Sequence, residues 1–319
     1  MKRIGVLTSG GDCSGMNAAI RSVVRTALSK KLEVVGIRQG FIGLLDKHFE
    51  SMDSRSVSGI IQRAGTILQS ARCEEFKYDR GQEQAVENIR EAGIDGLVVI
   101  GGNGSMAGAT ALHNRKIPVI GIPGSIDNDL FGTDTSVGVD TALNTIVSLI
   151  DIIRDTASSH DRAFIIEVMG RDSGYLALVS AIASGAEAAI IPEVPYDIDA
   201  IAEHLFERYK AGKTNSIVIV AEGASSAYTI ERKLKNKIGY ETRISVLGHI
   251  QRGGVTTVFD RLLASKFGQN AVEALLEGKS GLMTALQNGQ YIFVPLNDVI
   301  SKKKKIHSNL LDLAADLSS

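Results

Sequence analysis

The 319 residues are 44% hydrophobic and 22% charged, with 35 Lys and Arg against 36 Asp and Glu; this excludes a disordered chain and, at about 150 residues per domain, predicts two domains. A formal net charge of -1 argues against a nucleic-acid surface spread over the molecule, and two cysteines, Cys13 and Cys73, cannot build a disulfide scaffold. The apolar run 4–7 is too short for a signal peptide and no membrane span is evident, so a cytoplasmic protein is expected, with glycine (33 residues) as the unusual count.

In chain order, residues 3–8 read as a strand that stops at Ser9-Gly10-Gly11, and 16–30 as a helix. Residues 32–38 predict a second strand, 96–100 a third ending at Gly101-Gly102-Asn103-Gly104, and 118–122 a fourth ending at Pro123-Gly124-Ser125. Strands over 163–168, 216–221 and 243–247 close on Met169-Gly170-Arg171, Glu222-Gly223 and Gly248-His249, and helices are expected over 83–92, 140–157 and 175–184. Continuous apolar strands alternating with helices predict parallel sheets covered on both faces. Ligands of such sheets bind outside the carboxyl ends of the strands, where the glycine clusters fall. Strand density dips over 141–158, where one long helix is expected to carry the chain between domains. The block Lys302-Lys303-Lys304-Lys305 reads as a solvated helix face, with anion binding as the alternative.

Two glycine-rich turns, each leading from a strand towards a helix, offer backbone N–H groups to an anion, and without a Cβ a phosphate can approach closely. The segments 211–214 and 277–280 resemble the tail of a Walker loop, but Glu207 and Glu273 stand where its leading glycine belongs. Residues 102–107 fit the alanine variant of the dinucleotide fingerprint, which keeps a dehydrogenase as an alternative. In an extended segment Asp127 and Asp129 would share a face, giving a general base and a polar partner; an Asx-rich capping turn is the equal alternative. Arg72, Arg162, Arg171, Arg243 and Arg252, with His249, are expected beside loops at a common sheet edge, where guanidinium groups clamp phosphates. Glycine loops, an Asp base and clustered arginines are the parts phosphoryl transfer requires. No Cys/His spacing suggests zinc, and Cys13 reads as a small loop residue.

The segments LTSGGDCSGMNAAIR (7–21), SARCEEF (70–76), VVIGGNGS (98–105), IPGSIDND (122–129), IRDTASSHDR (153–162), EVMGRDSG (167–174), IVAEG (219–223) and LGHIQRGG (247–254) resemble, in this order, the bacterial ATP-dependent 6-phosphofructokinase family over essentially the whole chain. The resemblance implies two Rossmann-like three-layer αβα domains with exchanged segments. The nucleotide-binding domain would be 1–138 plus 251–301 and the sugar-phosphate domain 139–250 plus 302–319. It also implies a homotetramer that uses Mg2+ and transfers a phosphoryl group from ATP to the 1-hydroxyl of fructose 6-phosphate, leaving ADP. Asp127 would be the base, assisted by Ser125 and Arg171. Gly11, Arg72, Cys73, Gly102, Asn103, Gly104, Ser105 and Gly108 would line the nucleotide site, with 102–108 as a phosphate cradle. Asp129, Met169, Gly170, Glu222, His249 and Arg252 would line the sugar-phosphate site, and Arg162 and Arg243 would reach in from a neighbouring subunit.

Glycine at 104 and 124, where pyrophosphate-using relatives have Asp and Lys, favours ATP as donor. The family's metal-holding aspartate is Asn103 here, which predicts weak Mg2+ use and low turnover rescued by Asn103→Asp. Ser125 replaces a threonine and keeps its hydroxyl. Arg21, Arg25, Arg154, Gly185, Glu187, Gly212 and Lys213 match the family's effector site for ADP or phosphoenolpyruvate, whereas Ser54, Gly59 and Ala211 depart from it and imply an altered preference. The alternative is a non-catalytic or regulatory subunit of the same fold that binds sugar phosphate and effector. A kinase with a related glycine loop, acting on NAD or a lipid, is disfavoured by the substrate-side arginines.

Overall fold

A computed structural model describes residues 1–159 and 162–318; His160 and Asp161, within the 153–162 motif, and Ser319 lie outside it. The chain divides into two compact units, Met1–Thr141 with Arg252–Lys304, and Ala142–Gln251 with Lys305–Ser319.

The first unit is built from β1 (Arg3–Ser9), α1 (Met16–Ser29), β2 (Glu33–Ile37), α2 (Phe41–Leu45), β3 (Phe49–Met52), α3 (Asp79–Glu91), β4 (Gly96–Gly101), α4 (Asn103–Asn114), β5 (Val119–Pro123) and the start of α5 (Val139–Ser158). The second holds the rest of α5, then β6 (Arg162–Val168), α6 (Tyr175–Ser184), β7 (Ala188–Ile190), α7 (Ile198–Lys210), β8 (Ser216–Ala221), α8 (Ala227–Leu234) and β9 (Glu241–Val246). The chain then returns to the first unit for α9 (Val258–Leu276), β10 (Leu282–Gln287), β11 (Gln290–Pro295) and α10 (Leu296–Ser301), and ends in the second with α11 (Ser308–Ser318).

The first unit's sheet has the order β11-β10-β5-β4-β1-β2-β3. Its central strands are buried on both faces, which explains their unbroken apolar runs: all six residues of β4 are buried. Alternation sends Leu7, Leu97, Val99 and Val119 into a core with side chains of α2, α3, α4 and α10. Val6, Val98, Ile100 and Ile120 take the other face, on which α1 and α9 pack. The buried Asp260 carboxylate accepts from the amides of Gly138 (2.9 Å) and Thr141 (2.8 Å) and the Thr141 hydroxyl, tying α9 to the start of α5. Burial pushes the Asp260 carboxyl up, and those three hydrogen bonds oppose it.

The second unit's sheet, β7-β8-β6-β9, is wholly parallel. Ala163, Ile165, Val218 and Val220 meet α7 and α8 on one face, and α6 packs on β8 and on α11.

The structure corrects two expectations about these elements. The first sheet is not purely parallel, because β3 pairs antiparallel with β2 and β11 antiparallel with β10 at its two edges. Residues 302–307 are not helical: α10 ends at Ser301 and α11 begins at Ser308. Lys304 in that segment turns inward while Lys303 and Lys305 are exposed.

Candidate active site

Strand register brings the glycine turns of the first unit level with one another. Ser9 of β1 is the register partner of Gly101 in β4, and Gly101 the partner of Pro123 in β5. The chain runs from β1 to β2 on one side and β4 lies on the other, so the strand order reverses between β1 and β4, the place where open α/β sheets bind ligands. The Gly10-Gly11 turn, the start of α4 and the 124–129 loop therefore stand side by side at the carboxyl edge of one sheet.

Residues 103–108 are not a loop but the first turns of α4, a correction to the expected cradle. The amide donors that an anion would meet are thus those of a helix N-terminus, aided by the helix dipole. Asn103 and Gly104 are exposed there. A Cβ built on Gly104 meets nothing within 4 Å, so the space in front of this turn is open. Ser105 is buried and its hydroxyl donates to the Ser9 carbonyl at 3.0 Å, fastening the two turns together. Gly108 answers to packing: the Phe41 ring occupies the space a Cβ would need. Arg252 lies across Gly11, with Nη1 donating to the Asp12 carbonyl at 2.8 Å, while Arg72 is exposed in an irregular segment. Cys73 is half-buried against the first core. Cys13 is buried, its thiol donates to the Val137 carbonyl at 3.1 Å, and burial pushes its ionisation far up, as suits a packing residue.

The segment 125–129 is a turn rather than an extended stretch, which overturns the expected same-face pair. The reason is Asn128, whose backbone is left-handed (φ 52°). Its amide group donates to the Asp134 carbonyl (3.2 Å) and its oxygen accepts from the Ser136 amide (3.2 Å), a local pattern to which asparagine is suited. The Asp127 amide donates to the Ser125 hydroxyl oxygen at 3.3 Å, and Asp127 itself is 5% exposed. Asp129 is less buried and accepts from the Asn103 side-chain amide at 2.8 Å. Lys304 Nζ reaches Asn128 Oδ1 and the Asp134 carbonyl, both at 2.9 Å. Burial draws the Lys304 pKa down to about 8, with Asp134 and Asp129 pulling the other way.

In the second unit, Val168 of β6 is the register partner of Ala221 in β8, which sets Met169-Gly170-Arg171 beside Glu222. Glu222 Oε1 accepts from the Gly170 amide (3.2 Å) and the Arg171 amide (2.9 Å). These bonds hold Arg171 in the left-handed region (φ 50°), at a cost of about 1–2 kcal/mol for a residue with a Cβ. Gly223 is required here, because the Arg171 carbonyl fills the place of its missing side chain. The buried Gln251 accepts from the Met169 amide (3.1 Å) and donates to the Gly248 carbonyl (3.0 Å), linking that turn to the segment bearing the exposed His249.

Arg162 and Arg243 depart from the expected edge. Arg162 opens β6 and Arg243 lies within β9, one on each side of Glu241, which accepts from both. The hydrogen bond from Arg162, followed by that from Arg243, holds the Glu241 carboxyl below its usual range. Among the residues matched to an effector site, Lys213 pairs with the buried Glu187, which also accepts from the Ile217 amide. Arg154 donates to the Ser184 carbonyl at 2.6 Å, and Arg25 to the Ser54 carbonyl at 3.3 Å. Arg21 is half-buried on α1, and Gly185 and Gly212 have open space where a side chain would stand. Gln251 and Lys304 are the contributions that reading by residue type missed. One lies inside a quoted motif as an unremarkable amide, the other inside a run of lysines.

No group of three or more His, Cys, Asp and Glu side chains among the described residues could cage a metal. The local donor set is one carboxylate, Asp129, with the Asn103 carbonyl oxygen. It fits the way Mg2+ is bound when phosphates and waters supply most of its ligands, and does not fit an all-protein site.

Level glycine turns at a reversal of strand order, a helix N-terminus and two acids on the adjoining loop define the class: a phosphate-handling α/β protein. A family model described as phosphofructokinase matches residues 3–275, and the chain belongs to that family. The ATP-dependent 6-phosphofructokinase of Thermotoga neapolitana is 53% identical over 319 residues, covering 100% of both chains. That of Halalkalibacterium halodurans is 51% identical over 318 residues, again covering 100% of both. Among solved structures, phosphofructokinase from Saccharomyces cerevisiae superposes with a TM-score of 0.89 at 36% identity over 100% of this chain; the chain spans 48% of that yeast chain's length. Pyrophosphate-dependent phosphofructokinase from Marinobacter aquaeolei shares the fold, with a TM-score of 0.86 at 24% identity, covering 100% of this chain and 92% of that one.

Proposed function

We propose that the chain transfers the γ-phosphoryl group of ATP to the 1-hydroxyl of fructose 6-phosphate, giving fructose 1,6-bisphosphate and ADP. The observation that carries this reading is the register that levels Ser9, Gly101 and Pro123, and with them the turns offered to a triphosphate and the loop bearing Asp127. In the transfer, Asp127 takes the proton of the sugar hydroxyl as its oxygen bonds to the γ-phosphorus and the bond to the β-phosphate oxygen breaks. The start of α4 and Arg72 take the phosphate tail; Ser125 positions the Asp127 amide; Arg171 stabilises charge on the transferring group. Asp129, Met169, Gly170, Glu222, His249 and Arg252 serve the sugar phosphate. Mg2+, when bound beside Asp129 and Asn103, supplies charge neutralisation on the phosphates. Glycine at 104, with open space before it, supports ATP rather than pyrophosphate as donor. A coupled assay with either donor tests the reading: wild type turns over with ATP, and Asp127→Asn lowers kcat by roughly 10²–10⁴-fold. Equal turnover of the two proteins, or turnover with pyrophosphate alone, would sink it.

The protein works as a cytoplasmic homotetramer in which Arg162 and Arg243 serve the neighbouring subunit's sugar phosphate. No helix among the described residues is long and apolar enough to cross a membrane. Val255 (73% exposed), Val258 (71%) and Leu262 (64%), beside Phe259, form an apolar surface at the start of α9, which supports association with another copy. ADP or phosphoenolpyruvate acts at Arg21, Arg25, Arg154, Gly185, Glu187, Gly212 and Lys213, weakly, since the pairing of Lys213 with Glu187 competes with an anionic effector. A second reading, a non-catalytic subunit that keeps the sugar-phosphate site, is favoured by one observation: the Asn103 amide occupies Asp129 Oδ2.

A further inference from the structure

The four consecutive lysines do not share one environment. Lys302 has an extended backbone (φ -111°, ψ 145°), and successive side chains of an extended segment point to opposite sides. Lys302 and Lys304 both meet the 125–136 loop: Lys302 Nζ lies 5.2 Å from the centre of the Phe131 ring, and Lys304 Nζ donates to Asn128 Oδ1 and the Asp134 carbonyl. Lys302, Lys303 and Lys305 are exposed, and only Lys304 of the four is half-buried. The loop also has bonds of its own, with the Ser136 hydroxyl donating to the Ser125 carbonyl at 2.7 Å and Asn128 joining Asp134 to Ser136. Its far side is held by residues 286–288, where the Asp134 amide donates to the Leu286 carbonyl at 2.7 Å and the Asn288 amide to the Asp134 carboxylate at 2.7 Å. Lys304 enters this ring from 176 residues away in sequence, at the one left-handed residue between Asp127 and Asp129.

We propose that Lys304 is a positioning residue for phosphoryl transfer: by holding the Asn128 side chain it fixes the turn that sets Asp127 and Asp129 relative to one another. The catalytic half of this inference rests on the function proposed above; the anchoring half does not. A long cation suits the task because it spans from the 302–307 strap to two acceptors at once and places positive charge beside Asp129 and Asp134. On its removal Asn128 Oδ1 keeps the Ser136 amide and the Asp134 carbonyl keeps the Asn128 amide. Lys304→Met is therefore expected to fold.

The test compares wild type, Lys304→Met, Lys304→Arg and Lys303→Met by steady-state kinetics, thermal melting and hydrogen exchange over 125–136. Expected are a kcat for Lys304→Met lower by about tenfold or more, a KM for ATP within about twofold of wild type, an undiminished melting temperature and faster exchange at the Ser136 amide. Lys304→Arg should recover most of the kcat, and Lys303→Met should match wild type throughout. A Lys304→Met protein with kcat within about twofold of wild type, or with unchanged exchange over the loop, overturns the proposal. So does an equal loss in Lys303→Met. Were wild type to show no sugar-phosphate kinase activity, the proposed function would fail on its own account and the exchange comparison alone would decide whether Lys304 anchors the loop.

Discussion

A carboxylate at position 103 would stand where the Asn103 amide now donates to Asp129 at 2.8 Å. Two carboxylates so close repel unless a cation or a proton lies between them. Asn103 thus holds Asp129 in place without metal, whereas an aspartate would need the metal to do so. Both groups are solvent-accessible, so Asn103→Asp should lower the melting temperature without Mg2+ by only about 1–3 °C, with millimolar Mg2+ restoring it. Turnover at saturating Mg2+ should rise by about 10²-fold. Differential scanning fluorimetry across a Mg2+ series checks the first, and a wild type whose melting depends on Mg2+ as strongly as the variant's would contradict it. The residue types at this site were legible in the sequence: an acid after a strand end, glycines where backbone meets phosphate. Their geometry was not. Asn128 converts an expected extended pair into a turn, and a left-handed asparagine is chosen by the carbonyl and amide groups of residues 134 and 136 that it meets in the fold. Likewise Arg171 adopts φ 50° because Glu222, from a neighbouring strand, binds its amide.

The same division holds for elements. Strands buried on both faces announced themselves as unbroken apolar runs, as in β4 and β8. The edge strands β3 and β9 carry exposed and half-exposed positions, so pattern alone missed the first and shifted the second. The lysine block misled for a related reason: composition is blind to the acceptors on a distant loop that draw one member of a charged run inward. That burial has a thermodynamic signature. Lys304 has a folded pKa drawn down to about 8 from 10.5 by desolvation. Below pH 8 it is protonated in both folded and unfolded chains, and the cost of burying the charge is carried in full. Between about 8 and 10.5 the folded chain releases the proton while the unfolded chain keeps it, so stability gains with rising pH through that window. Wild type measured against Lys304→Met should thus gain in urea midpoint from pH 7 to pH 9.5. A difference between the two that is flat with pH, or shrinks, would show that the ammonium is not desolvated.

At the scale of the whole molecule, the arginines of β6 and β9 are where the proposed sharing of sites between subunits can be tested. In its own subunit Arg162 donates to Glu241 at 3.0 Å, Arg243 pairs with the same carboxylate, and both stand away from the carboxyl edge of their strands. Two guanidinium groups sharing one exposed carboxylate keep a net positive charge, available to an anion brought by another copy, and surface pairs of this kind hold weakly. The apolar start of α9 gives a copy something to pack against, with Val258 and Leu262 one helical turn apart and both mostly exposed. If the arginines act in trans, an Arg162→Ala chain lacks a group that its neighbour needs, and an Asp127→Asn chain lacks a group that it needs itself. Each homo-oligomer should be nearly inactive. Mixed oligomers, formed by refolding the two together, should regain a substantial part of wild-type turnover, because a site with an intact Asp127 can face a neighbour with an intact Arg162. Adding Val258→Asp and Leu262→Asp to both chains should abolish that recovery and lower the mass seen by light scattering. Absence of recovery from mixtures whose assembly is verified would place Arg162 in service of its own subunit.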